Sequence, residues 1–104
     1  MGGGGGTGMS GIFKPLAGKS LSCASTIYSV DTLWAEAQVD ANGNPYTRVR
    51  RNDWGYYRDS GWISGYSAST TNGAWSYLVF NGVCAGRSGY DPPAGDHCCY
   101  WPMN

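Results

Sequence analysis

Glycine breaks every helical window in the middle of this chain. Gly55, Gly61, Gly65 and Gly73 interrupt residues 54–77, and each costs a helix interior about 1 kcal/mol relative to alanine. Alternation takes over where helical spacing fails. Thr32 to Val39 places Leu33, Ala35, Ala37 and Val39 on one face of a strand. Asp40 to Pro45 then reads as a hairpin connection, because Asn42-Gly43 tolerates the positive φ such turns require. Tyr46 to Arg51 is the return strand, and Ser20 to Val30 suits an earlier one. Trp75 to Phe80 is a late strand, ended by Asn81-Gly82 ahead of Val83-Cys84. Only Asp31 to Val39 offers a helical alternative, through a cap at Asp31. The expectation is an all-β chain, a small antiparallel β-sandwich or barrel of about five to seven short strands.

The ends differ from this body. Residues 1–12 read as a flexible Gly-rich arm, since Gly2 to Gly6 and Gly8 lose the most freedom on ordering. It is either an unstructured tail or linker, or an arm that orders by docking between neighbouring subunits. Residues 13–88 form the β-domain. Residues 89–104, with Asp91-Pro92-Pro93 and two cysteines, read as an irregular segment. The body then has about 80 residues, few for an unaided core. Cysteines, a partner chain, or both are expected to support it.

Cys23, Cys84, Cys98 and Cys99 permit three complete pairings. Adjacent cysteines rarely bond to each other, so Cys98 and Cys99 are expected to reach separate partners, Cys23 and Cys84. A bridge from Cys84 to either would close a loop of about 15 residues, worth ~3 kcal/mol in the chain-entropy model. Free thiols and a metal site built on Asp96-His97-Cys98-Cys99 are the alternatives. Adjacent ligands fit badly around zinc, which favours ligands two to four residues apart. No metal or other cofactor is expected.

Charge excludes some classes of partner. The formal net charge is zero and charged residues are only 13% of the chain. A nucleic-acid partner would call for a basic excess. No apolar run approaches the ~20 residues that cross a bilayer, so membrane insertion is not expected. Met9 to Leu16 is interrupted by Ser10, Gly11, Lys14 and Pro15 and does not read as a secretion leader. Catalysis is not expected either. The single histidine, His97, sits beside two cysteines, and Gly65-Tyr66-Ser67-Ala68-Ser69 lacks the last glycine of a nucleophile elbow.

The aromatics and arginines carry the binding reading. Five Trp exceed what so small a core hides, because each is large and its indole N–H seeks a partner. Trp54, Tyr56, Tyr57, Arg58, Trp62 and Tyr66 are the candidate binding residues, as a subunit contact or a platform for sugar rings. Pairs two or four apart, Trp54 with Tyr56, Trp62 with Tyr66 and Trp75 with Tyr77, would share strand faces. Trp34 and Trp75 are the candidate core rings. Arg48, Arg50, Arg51, Asp53, Arg58 and Asp59 read first as an exposed, mixed-sign strand edge that resists aggregation, and second as a subunit interface.

The glycine run at residues 2–8, followed by a body rich in Gly, Ser, Thr, Tyr and Trp, resembles small bacteriophage virion proteins of the tail-fibre, tail-tip or head-decoration type. That resemblance implies a multi-copy structural subunit, made in the host cytoplasm and exposed on the virion. It would act by binding other virion proteins, copies of itself, or a host-surface glycan. A carbohydrate-binding β-module and a small secreted effector without a leader are the other two readings.

Overall fold

The computed structural model describes residues 17–90 and 94–102. The Gly-rich arm expected at residues 1–12 lies outside them. The described residues form nine strands: β1 Ser20–Ile27, β2 Asp31–Val39, β3 Pro45–Asp53, β4 Tyr56–Asp59, β5 Ile63–Ser64, β6 Ser67–Ser69, β7 Ala74–Val79, β8 Gly82–Arg87 and β9 Ala94–Tyr100. All pairings are antiparallel. The first sheet runs β1-β2-β3-β4 with β5 also against β3, and the second runs β6-β7-β8-β9. They stack face to face, β2 over β8 and β3 over β7 and β6. The result is the all-β sandwich expected from alternation.

Two expectations are corrected. The helical alternative for Asp31–Val39 gives way to a nine-residue strand. The segment expected to be irregular contains β9, which completes the second sheet, so the β-domain extends to Tyr100 rather than ending at residue 88. Pairing along β8 supplies the ladder partners that the local Pro-rich sequence did not suggest.

The core lies between the sheets. Leu33, Ala35, Ala37 and Val39 from β2 meet Val49 from β3, Ala68 and Leu78 from β6 and β7, and Val83 and Ala85 from β8. Most of these side chains are small, so the core is thin. Trp101, just past β9, is the one buried aromatic ring among the described residues, with its backbone N–H on Asn81 O at 2.8 Å. Trp34 and Trp75, expected in the core, lie half-buried on the outer faces instead. Period two dictates this, since Trp34 alternates with Leu33 and Ala35 and must point the other way. Trp75 covers Gly86 on the outer face of the second sheet, where a Cβ would come within 2.5 Å of the indole.

Both bridges form: Cys84–Cys98 and Cys23–Cys99. Cys84 and Cys98 are cross-strand partners in β8 and β9. Their neighbour Cys99 faces the opposite side and reaches Cys23 on β1, tying the two sheets together. Adjacent cysteines on a strand serve two different faces, which is why they take separate partners. With every sulfur bonded, the zinc and free-thiol alternatives have no thiol to use.

The second Asn-Gly works differently from the first. Val79 pairs with Gly82, so Phe80 and Asn81 make the β7–β8 turn, and neither has a positive φ. Gly82 is required for close approach: a Cβ there would lie 1.9 Å from Cys99 O.

Candidate functional site

Register sorts the charged and aromatic residues of the first sheet onto its two faces. Asp31, Leu33 and Ala35 share parity with Arg51 and Val49 and face inward, while Trp34 and Glu36 pair with Arg50 and Arg48 and face outward. β4 adds Tyr57 and Asp59 to the outer face. The exposed mixed-sign edge expected for the arginine cluster is therefore corrected for Arg48, Arg50 and Arg51, which lie on β3 inside the sheet. Arg51 enters a buried network with Asp53 at its margin, Arg48 and Arg50 join the outer platform, and only Arg58 and Asp59 lie on an exposed edge strand, β4.

On the outer face, Glu36 accepts both Arg50 Nε and Arg50 Nη2 at 2.9 Å, and Ser22 Oγ donates to Glu36 Oε2 at 2.9 Å. Arg48 grips Asp59 through Nε at 2.9 Å and through Nη2, and lies 3.4 Å from Glu36. Each guanidinium also sits against a ring: Arg50 4.7 Å from the Trp34 centroid and Arg48 5.7 Å from that of Trp62. Tyr57 meets Trp34 edge-on at 6.2 Å. The bonds from Arg48, with one from Gly61 N–H, outweigh burial and hold the Asp59 carboxyl down at about 2. Asp59 first, with Glu36, raises Arg48 above its ordinary value; burial lowers Arg50, but Glu36 and Tyr57 outweigh that and raise it. The formal charges of the two arginines and the two carboxylates sum to zero.

The platform stays open at its rings. Tyr57 is 44% and Trp62 39% exposed. Fork-to-fork pairing fixes the arginines, and each guanidinium keeps N–H donors beyond those its carboxylate takes. The face therefore offers flat apolar rings beside rigid donors and acceptors with no net charge.

Beneath it, at the β1–β2 end of the sandwich, lies a buried ionic node that the sequence reading passed over. Asp31 is fully buried and accepts Arg51 Nε at 3.0 Å, Arg51 Nη2 at 2.7 Å, Arg87 Nη1 at 3.1 Å and Tyr90 OH at 2.6 Å. Burial pushes this carboxyl up, but the bonds from Arg51, Tyr90 and Arg87 prevail and bring it down to about 2. Arg87 also reaches Asp31 O and Ser25, and Arg51 reaches Asn72 O. The available signal was parity: Asp31 and Arg51 each alternate in phase with core residues.

Above this node stands an aromatic tip. Tyr28 stacks on Tyr90 at 5.9 Å, and Trp54 N–H donates to Val30 O at 3.0 Å, locking the β1–β2 and β3–β4 turns together. Tyr28, Ser29 and Trp54 all have φ between 53° and 59°, the left-handed region that side chains usually avoid. Such strain is held only where the surroundings over-determine it.

The six expected binding residues do not form one cluster. Tyr57 and Trp62 belong to the platform and Trp54 to the tip. Tyr56 and Arg58 lie on the other side of β4, exposed, with Arg58 4.1 Å from the Tyr56 centroid. Tyr66 packs against the core. Trp75 and Tyr77 do share the outer face of β7 beside a shallow depression of about 470 Å³ lined also by Ile63, Ser67 and Ser69. Trp54 with Tyr56 and Trp62 with Tyr66 do not share a face, because a turn or strand break falls within each pair.

Fold and site together define a doubly disulfide-bonded β-sandwich with an aromatic, charge-balanced outer face. Comparison with protein-family models, with curated proteins and with solved structures finds no match to this chain.

Proposed function

We propose that this chain is a non-catalytic binding module that works in an oxidising setting and docks a neutral saccharide on the outer face of its first sheet. The observation that carries this reading is the platform: Tyr57 and Trp62 exposed around the Arg48–Asp59 and Arg50–Glu36 pairs. Flat rings suit the apolar faces of pyranoses, and fixed donors and acceptors suit hydroxyls, which need both. A balanced charge favours a neutral ligand over an acidic one. Asp59, held ionised by Arg48, is spent in that ion pair and serves the platform as a fixed acceptor. Two disulfides support an extracellular or particle-surface setting.

An array of neutral, acidic and amino-bearing oligosaccharides tests this. Neutral glycans should bind, and Trp62→Ala and Tyr57→Ala should each abolish the signal while Trp54→Ala preserves it. Binding only to acidic glycans, no binding, or binding that survives both platform variants would overturn the reading.

A second reading, the virion subunit implied by the sequence resemblance, is favoured by the tip. Tyr28 and Trp54 are 73% and 67% exposed on strained, interlocked turns, and Tyr and Trp dominate subunit contacts. Assembly into a defined particle component, lost on Trp54→Ala with the fold intact, tests it. A Trp54→Ala chain that assembles normally would remove this reading.

A further inference from the structure

Each sheet has two edges, and three of the four are guarded. β4 is four residues long and carries Arg58 and Asp59. β6 has only three residues. β9 pairs β8 through a register shift between Ala85 and Arg87. Short strands, charges and bulges are the usual devices that keep edges from pairing with other chains.

β1 has none of them. It runs eight residues, Ser-Leu-Ser-Cys-Ala-Ser-Thr-Ile, without a charge, a proline or a glycine. Its pairing with β2 leaves one set of backbone groups over. Val39 N–H donates to Lys19 O at 2.9 Å and Val30 N–H to Ile27 O at 3.3 Å, so the odd-numbered residues turn their carbonyls toward β2. By the alternation of an antiparallel ladder, Ser20, Ser22, Ala24 and Thr26 turn N–H and C=O to the outside. All four are exposed, and no described strand lies beside them in the sheet. Their side chains are small, so another backbone meets no steric barrier.

We infer that β1 is a self-pairing edge, and that its occupant is β1 of a second copy of this chain. The strand is self-complementary about Cys23. An antiparallel copy in that register sets Ser20 opposite Thr26 and Ser22 opposite Ala24, on each side of a two-fold axis, and closes about eight backbone hydrogen bonds. A two-fold axis brings each edge against itself, so a charged β1 would face its own charge. This one carries no charge at all. The Cys23–Cys99 bridge ties β1 to β9 at the axis and holds the edge in place against the second sheet.

The geometry has a functional consequence. Residues opposite one another in an antiparallel pair project to the same face. The joined first sheets therefore present both platforms on one side, with the two β3 strands five strand spacings, or roughly 24 Å, apart. If the platform binds glycan, the dimer is bivalent toward a surface. The dimer itself does not depend on that reading.

The test uses the full, oxidised chain in a concentration series, by light scattering and amide hydrogen exchange. The wild type should pass from monomer to dimer with rising concentration, and the amides of Ser20, Ser22, Ala24 and Thr26 should gain protection together with it. Ala24→Pro removes an outward N–H without touching the β2 ladder, a position where an edge strand admits proline. It should remain monomeric with native thermal unfolding. Ala24→Lys, which keeps the backbone and sets like charges close across the axis, should do the same and covers a failure of the proline variant to fold. Any of three results would overturn the inference. One is a wild type that stays monomeric with these amides unprotected throughout. Another is protection of these amides in the monomer, which assigns the edge to the chain's own residues. The third is a dimer that survives in both variants.

Discussion

Neutralising Asp31 should unfold this protein more readily than removing any exposed ring. Asp31→Asn keeps the side-chain shape and deletes one charge. Two buried guanidiniums, Arg51 and Arg87, then face a neutral amide whose NH2 is itself a donor. Breaking a buried ion pair from one side costs about 3–5 kcal/mol. Linkage gives an independent lower figure. A carboxyl at about 2 when folded and near 3.9 when unfolded contributes roughly 2.5 kcal/mol at neutral pH. In a domain of this size, where 1 kcal/mol moves Tm by about 4–8 °C, the loss is roughly 10–40 °C. The sign with pH follows from the same shift. The folded value is depressed, so the contribution is whole above about pH 5 and fades as pH falls through about 4 toward 2. Thermal unfolding of oxidised wild type and Asp31→Asn, followed by Trp fluorescence from pH 7 to pH 2, should show a wide Tm gap that narrows on acidification. A gap under about 4 °C at pH 7, or one that does not change with pH, would refute the argument that this node is a principal support of the fold.

Other outcomes follow from the same geometry. Cys23–Cys99 spans 76 residues and Cys84–Cys98 spans 14, so the chain-entropy model assigns ~4.5 and ~3 kcal/mol; paired Ser variants of each bridge should rank in that order in urea unfolding. Gly82→Ala should prevent normal docking of β9, because its Cβ would strike the Cys99 carbonyl, and should expose Trp101 to quenchers of fluorescence. Trp62→Ala should leave stability within about 1 kcal/mol of wild type by urea unfolding, since the ring is exposed and its partner Arg48 keeps Asp59. Its effect should appear in ligand binding alone.

What the sequence made readable was the local pattern. Alternation located β2 and its inner face correctly, because Leu33, Ala35, Ala37 and Val39 leave no other way to bury that strand. Four cysteines with two of them adjacent pointed to separate partners, since consecutive strand residues face opposite sides. The non-local features were not readable in this way. β9 is a strand because β8 offers it a ladder, and nothing within Ala94 to Tyr100 announces that. Asp31 and Arg51 are 20 residues apart, and only the register of β2 on β3 turns both into the core. Trp34 was misread as a core ring by size, although its parity with Glu36 already placed it outside. The platform joins residues from β2, β3, β4 and the following turn, so scattered candidates such as Tyr57 and Trp62 became a site only once those strands were paired.

The most direct test of the saccharide reading is where a sugar touches the oxidised protein. Titration of isotopically labelled protein with cellohexaose and with maltohexaose, followed by amide and indole NMR shifts, resolves the faces. The account predicts that at least one of these neutral glucans moves the Trp34 and Trp62 indole signals and the amides of Tyr57 and Arg50, leaving Trp75 and Trp101 in place. Shifts confined to Trp75 and the β6–β7 depression, or to Trp54 at the tip, would contradict it.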